Sequence, residues 1–246
     1  MLLALDIGNT TLHVGVFDDN ALIKEYRIET NKNAGTPYYT SFFETLTKHK
    51  PDAVSISSVV PEINKIITSL CIENFSLSPF FITPKSKTGI TVACDDLGSD
   101  RLANCVAGYK RAKGSCIIVD FGTAITFEVV SKEGRFLGGA IAPGVQLSFN
   151  ALIEKASKLS AIPLTMPTHA VTSGTEENVQ SGVIFGFASL ADGMIARMKG
   201  ELTDKPMIFI TGGQGSLIAD AMISQVTVVP ELTLEGIKII WEENQN

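Results

Sequence analysis

Two carboxylates in this sequence stand near the ends of apolar runs and are followed almost at once by glycine and small polar residues. The first is Asp6 in Leu3-Ala4-Leu5-Asp6-Ile7-Gly8-Asn9-Thr10, and the second is Asp120 in Ile117-Ile118-Val119-Asp120-Phe121-Gly122-Thr123-Ala124. An apolar strand holds such a carboxylate at its C-terminal end, where α/β folds place ligands. The glycine allows a tight turn and close backbone approach, and neighbouring hydroxyls and amides can bond phosphate oxygens. A carboxylate there can also hold Mg²⁺, which favours one or two carboxylates plus phosphates and water. A plain hairpin turn, with Asp and Asn bonding their own backbone, gives the same local pattern. Two copies, plus a third glycine turn in Ile208-Phe209-Ile210-Thr211-Gly212-Gly213, favour the phosphate reading.

A third carboxylate is paired differently. Gly98-Ser99-Asp100-Arg101 sets an acid and a base side by side at the start of a predicted helix. The pair offers one acceptor for a hydroxyl proton and one planar fork for a carboxylate. It equally suits a surface ion pair with Asp100 favoured in the first turn by the helix dipole. There is no GxxxxGK[ST], no GxGxxG after a strand and no HRD/DFG set, which excludes P-loop, dinucleotide and protein-kinase sites.

Strands must position these residues. Strand-like apolar runs occur at Leu2–Leu5, Leu12–Phe17, Ala53–Ser57, Phe80–Thr83, Cys116–Val119, Thr126–Val130, Met207–Thr211 and Val226–Val229. Helical periodicity marks Tyr39–Lys48, Pro61–Asn74, Ser99–Lys113, Gly144–Lys158, Glu176–Lys199 and Gly215–Ile223. This alternation predicts an α/β fold. Asp6 and Asp120 lie 114 residues apart in a chain of 246, and a second strand-like run follows each. The repeat predicts a duplicated domain, with halves at 1–113 and 114–246 and a cleft between them.

Composition narrows the class. Net charge is −6 with pI near 5.1, and no Lys/Arg cluster is visible, so a nucleic-acid partner is not expected. Hydrophobic residues make up 45% and charged residues 19%, with mean hydropathy +0.23. No run reaches the roughly 18 uninterrupted apolar residues of a membrane span. The start, Met1-Leu2-Leu3-Ala4-Leu5-Asp6, lacks the marks of a signal peptide. The four cysteines form no CxxC pair and the histidines are far apart, so a zinc site has little support. Isolated cysteines such as Cys116 read as buried thiols of a reduced compartment, and a cytoplasmic location is expected.

Six stretches occur in one order: Asp6-Ile7-Gly8-Asn9-Thr10, Ser57-Ser58-Val59-Val60-Pro61, Gly98-Ser99-Asp100-Arg101, Asp120-Phe121-Gly122-Thr123-Ala124, Gly138-Gly139-Ala140-Ile141-Ala142-Pro143-Gly144 and Thr211-Gly212-Gly213. The ordered set resembles the type III pantothenate kinases of the actin–hexokinase (acetate and sugar kinase) superfamily, and Pro230–Gly236 is similar to that family's tail. The resemblance implies duplicated actin/hexokinase-like (ribonuclease H-like) halves around a central nucleotide cleft. It implies ATP-dependent phosphorylation of pantothenate, the first step of coenzyme A synthesis, with Asp100 as general base. Gly98, Ser99, Arg101 and Thr175 would join Asp100 at the substrate. A first phosphate loop would run from Asp6 through Ile7, Gly8, Asn9, Thr10, Thr11 and Leu12 to His13, with Asp6 near Mg²⁺. Gly122 and Thr123 would serve the second loop, and Gly212 and Gly213 the adenosine turn. Asp120 matches the position associated with a monovalent cation, K⁺ or NH₄⁺.

Some features leave alternatives open. Thr175 also reads as a plain helix N-cap. The family commonly has a tyrosine and a proline where this chain has Thr91 and Cys94, and Asp95-Asp96 would repel a carboxylate if it faced the pocket. A kinase for another small hydroxylated substrate, or a non-enzymatic nucleotide-responsive accessory factor, are the rival readings. Gly182–Ala191 is apolar on nearly every side, so it is either central in its own domain or shared with a second copy. Dimeric relatives favour a homodimer.

Overall fold

The computed structural model of the chain describes residues 1–156 and 162–245. It divides into two compact units, Met1–Ala107 with Leu232–Asn246, and Gly108–Glu231. In the first unit β1 (Leu2–Ile7), β2 (Thr11–Asp18) and β3 (Ala21–Glu29) form an antiparallel meander. There follow α1 (Thr36–Leu46), β4 (Ala53–Ser58), α2 (Pro61–Phe75), the short β5 (Phe80–Phe81) and α3 (Ser99–Ala112), which crosses the unit boundary. In the second unit β6 (Cys116–Phe121), β7 (Ala124–Val130) and β8 (Phe136–Pro143) repeat the meander. Then come α4 (Val145–Lys155), α5 (Thr175–Lys199), β9 (Met207–Thr211), α6 (Gly215–Ala219) and β10 (Thr227–Val228), before α7 (Leu232–Glu243) returns to the first unit.

The sheets run β3-β2-β1-β4-β5 and β8-β7-β6-β9-β10, with β4 parallel to β1 and β9 parallel to β6. One topology thus occurs twice in an α/β chain. The central strands β1 and β6 share one burial pattern, in which every residue is buried except the Asp. Burial on both faces explains why both read as continuous apolar runs. The outer strands β3 and β8 did not stand out in the sequence. β8 alternates exposed and half-buried residues and contains Gly138 and Gly139, and β3 follows the same pattern except at Ile23, Lys24 and Glu25, which are all exposed.

Each sheet packs one face on its own helices. In the first unit Leu3, Leu5, Ile7, Leu12, Val14 and Val16 meet Tyr39, Phe43, Ile63 and Ile67 of α1 and α2. In the second, Ile117, Val119, Phe121, Ile125 and Phe127 meet Val145 and Phe149 of α4 and Ile184, Ala188 and Ile195 of α5. On the other face of the first sheet the small residues Ala4, Gly15 and Ser55 stand in one row, and α7 lies against that sheet. A Cβ on Gly15 would come 2.9 Å from Leu234 Cδ1, so the glycine lets the Leu234 side chain of α7 rest on the strand. The expected boundary after residue 113 left α7 with the second half, whereas α7 packs with the first unit. The helix expected over Gly144–Lys158 is observed as Val145–Lys155; residues 157 and 158 lie outside the described residues. By length and composition α5 is apolar enough to cross a membrane, yet it buries Val183, Ile184, Ala188, Ala191 and Ile195 within its unit.

Candidate active site

The first unit gathers its polar residues at the C-terminal end of β1. Asp6 is level with His13 of β2 and Ser57 of β4, so the three stand in one row across the sheet. The turn after β1 closes with Gly8 N–H donating to the Thr11 carbonyl at 3.0 Å. Asn9 and Thr10 are exposed and Thr11 is half-buried. Asn9 Oδ1 accepts from Lys32 Nζ at 2.7 Å, and the Thr10 carbonyl accepts from Thr30 N–H at 2.9 Å. Ile7 and Leu12 are fully buried in the core, so only their backbone can meet a ligand. His13 turns toward β3, where its Nε2 lies 2.6 Å from Glu25 Oε2, an oxygen that also accepts from Arg27 at 3.2 Å. Burial, then the Arg27 charge, lowers the His13 pKa from its ordinary value; Glu25 opposes this.

Ser99 brings the Asp-Arg pair to the same place. It opens α3 almost fully buried, and its Oγ accepts from Ser58 N–H at 2.9 Å and lies 3.0 Å from Ser57 Oγ. That contact staples the start of α3 to β4, the strand beside Asp6. Asp100 follows directly, half-buried, its Oδ1 accepting from Arg101 N–H at 2.7 Å. A Cβ at Gly98 would come 2.6 Å from that same oxygen, so glycine leaves the carboxylate its room. Thr91, Asp95 and Asp96 are exposed and Cys94 is half-buried.

In the second unit Asp120 is level with Thr126 of β7 and Thr211 of β9. The turn closes with Gly122 N–H donating to the Ala124 carbonyl at 3.1 Å, leaving Thr123 exposed. Two distant glycines press on this hairpin. A Cβ on Gly144 would come 2.2 Å from the Thr123 carbonyl oxygen, and one on Gly212 would come 2.3 Å from Asp120 Oδ1. Gly212 also has φ +87, a left-handed conformation that suits glycine. Gly213 faces open space, and Gln214 N–H donates to the Phe121 carbonyl at 3.2 Å, tying the third glycine turn to the second hairpin.

The structure thus brings Asp6, the Gly8–Thr11 turn, Ser99, Asp100 and Arg101 to one sheet end, and Asp120, Gly122, Thr123, Gly212 and Gly213 to its counterpart. Thr175 is the exposed first residue of α5; Gly174 occupies the N-cap position, so Thr175 does not cap the helix. Gly144 lay inside a family stretch, but its role as the wall behind Thr123 had no signal in the sequence. Among the described residues no three His, Cys, Asp or Glu side chains gather as a metal cage. Mg²⁺ takes one or two carboxylates together with phosphates and water, and the single carboxylate of Asp6 fits that donor set.

Two sheets of one order, each ending its central strand in an Asp-x-Gly hairpin, define the actin/hexokinase-like fold. Solved structures share it. A conserved Campylobacter jejuni protein described as a Baf family transcriptional activator superposes with TM-score 0.64 at 21% identity, covering 99% of both chains. The activator of the 2-hydroxyisocaproyl-CoA dehydratase from Clostridium difficile, with bound ADPNP, superposes with TM-score 0.60 at 14% identity over 99% of this chain and 94% of that one. A family model described as type III pantothenate kinase matches residues 2–197. The type III pantothenate kinase of Geotalea daltonii is 37% identical over 254 aligned residues, spanning 100% of this chain and 99% of that protein. The chain belongs to the type III pantothenate kinase family.

Proposed function

We propose that the protein transfers the γ-phosphoryl group of ATP to the 4′-hydroxyl of pantothenate, giving 4′-phosphopantothenate and ADP in the first step of coenzyme A biosynthesis. The observation that carries this reading is the Asp100–Arg101 pair stapled by Ser99 beside Asp6, in a chain of this family. Asp100 takes the hydroxyl proton as the substrate oxygen attacks the γ-phosphorus; the bond to the β–γ bridging oxygen breaks and ADP leaves. Arg101 forks the pantothenate carboxylate. Asn9, Thr10, Thr11 and the backbone from Ile7 to His13 form the first phosphate loop, and Gly122 and Thr123 the second. Gly212 and Gly213 form the adenosine turn. Asp6 accompanies the Mg²⁺ that arrives with ATP.

Asp120 is the proposed partner of a monovalent cation. It stands in one row with Thr126 and Thr211, whose hydroxyls donate to Glu128 Oε2 at 3.2 Å and to the Pro230 carbonyl at 3.3 Å, and a carboxylate is the kind of oxygen donor that hard cations take. Such an ion supplies positive charge near the transferring group, where phosphoryl transfer relies on positioning and electrostatics. A homodimer is the proposed assembly. Gly182, Gly186, Ser189, Gly193 and Ala196 form one exposed face of α5, and the three glycines have open space beyond them. A second α5 could approach closely there, and the exposed Thr175 would reach the partner's site. The buried thiols Cys71 and Cys116, pushed up to about 12 by burial, suit a reducing cytoplasm.

Pantothenate-dependent ADP release tests the reading. Asp100→Asn keeps size and shape but takes no proton, so turnover should fall by about 10²–10⁴ while ATP binding persists. A near-normal rate would remove Asp100 from the mechanism. Sedimentation equilibrium at micromolar concentration should give twice the 26.3 kDa chain mass, and a monomer would refute the assembly.

A further inference from the structure

The segment 82–97 joins β5 to α3, carries Thr91 and Cys94, and delivers the chain to Gly98 and Asp100. At its start Ser86 N–H donates to the Thr83 carbonyl at 3.0 Å, and Thr83 N–H donates to Ser86 Oγ at 3.1 Å, which closes a turn. The next residue is held from the far end of α7. Lys87 N–H donates to Asn244 Oδ1 at 3.0 Å, and Asn244 Nδ2 donates to the Lys87 carbonyl at 2.9 Å, across 157 residues of sequence. One carboxamide thus supplies the donor and acceptor pair that a neighbouring strand would supply. Asn244 Nδ2 also donates to the Ile240 carbonyl at 2.7 Å, which fixes the amide to the last turn of α7.

α7 in turn is locked to α3. Thr233 Oγ1 donates to Oδ1 of the fully buried Asn104 at 2.8 Å. A Cβ on Gly236 would come 2.0 Å from the Ala103 carbonyl oxygen, so the two helix backbones touch. Leu232, Leu234, Ile237 and Ile240 are wholly buried, and Lys238 Nζ donates to Asn20 Oδ1 at 2.9 Å. One helix therefore grips the helix of Asp100 in its first turns and the segment leading to it at its end.

We infer that Asn244 is a positioning residue for the acceptor substrate. It sets where residues 87–97 stand relative to Asp100, and so governs capture of the hydroxyl substrate and not of the nucleotide. The inference rests on the kinase reading above. Asn244→Ala removes both bonds to Lys87, Asn244→Asp keeps only an acceptor for Lys87 N–H, and Asn244→Gln restores an amide one carbon further out.

The test varies pantothenate and ATP separately in steady state, and follows tryptic cleavage after Lys87 in the same proteins by mass spectrometry. Losing hydrogen bonds of ordinary strength should raise the pantothenate KM of Asn244→Ala about threefold to tenfold. The ATP KM and kcat should stay within about twofold, Asn244→Asp should fall between, and cleavage after Lys87 should quicken severalfold. Equal rises in both KM values, with faster cleavage throughout the chain, would mean general loosening and overturn the inference. An active wild type whose pantothenate KM is unmoved by Asn244→Ala overturns it alone, even if cleavage quickens. A wild type that phosphorylates no pantothenate sinks the functional reading, and this inference with it.

Discussion

The two Asp-x-Gly hairpins occupy the same place in the same topology, yet their surroundings differ. Asp6 pairs with His13 and Asp120 with Thr126, so the first turn is one residue longer. Around it there is room: a Cβ on Gly8 would meet only the Thr11 carbonyl, at 3.3 Å, and Asn9 and Thr10 are exposed. The second turn is boxed in, with Gly144 against Thr123 and Gly212 against Asp120. The rows across the sheets diverge in the same sense. Asp6–His13–Arg27 is charged and linked through Glu25, whereas Asp120–Thr126–Ile141 ends in an Ile that is 63% exposed. Duplication has preserved backbone and central carboxylate while the neighbours changed. An open turn with polar side chains suits groups that arrive and leave; a turn clamped by backbone suits a charge that must stay in place.

The sharpest break between the hairpins is steric. Gly144→Ala and Gly212→Ala drive a methyl into backbone or carboxylate that cannot yield, and should each cost roughly 3 kcal/mol or more. Gly8→Ala should stay within about 1 kcal/mol, since a contact at 3.3 Å relaxes with a small shift. Urea denaturation of the three variants measures this, and equal losses would erase the distinction between open and clamped turns.

A smaller effect sharpens the division of charge. Activity should rise several-fold when K⁺ or NH₄⁺ replaces Na⁺, and Asp120→Ala should abolish that response while the requirement for Mg²⁺ remains. Equal rates of the unmutated protein in Na⁺ and K⁺ would take Asp120 out of the proposed role. A cation response surviving in Asp120→Ala would move the ion elsewhere.

The parts of this molecule that a sequence exposes are those fixed by burial or local turn chemistry. β1 and β6 were legible because both faces are buried, and Pro61 marked the start of α2 by occupying its first turn. The edge strands β3 and β8 were missed, because their alternation of exposed and half-buried residues is diluted by charge in one and by glycine and alanine in the other. α7 was missed as a helix, and its return to the first unit rests on Gly236 against the Ala103 backbone and on the Thr233–Asn104 bond, contacts between segments far apart in sequence. Asp6, Asp100 and Asp120 stand out in the sequence as candidates for chemistry, because glycine and small polar residues sit beside each. The Ser99 staple and the Gly144 wall do not, because each is a contact between segments with no local pattern to announce it.

The most direct test of the account is the fate of the γ-phosphoryl group. Phosphorus NMR of the purified protein with ATP, Mg²⁺, K⁺ and pantothenate should show ATP converted to ADP and one new phosphomonoester, on the 4′-hydroxyl of pantothenate, for each ATP consumed. Inorganic phosphate in place of that monoester, or ATP left intact beside pantothenate, would contradict it.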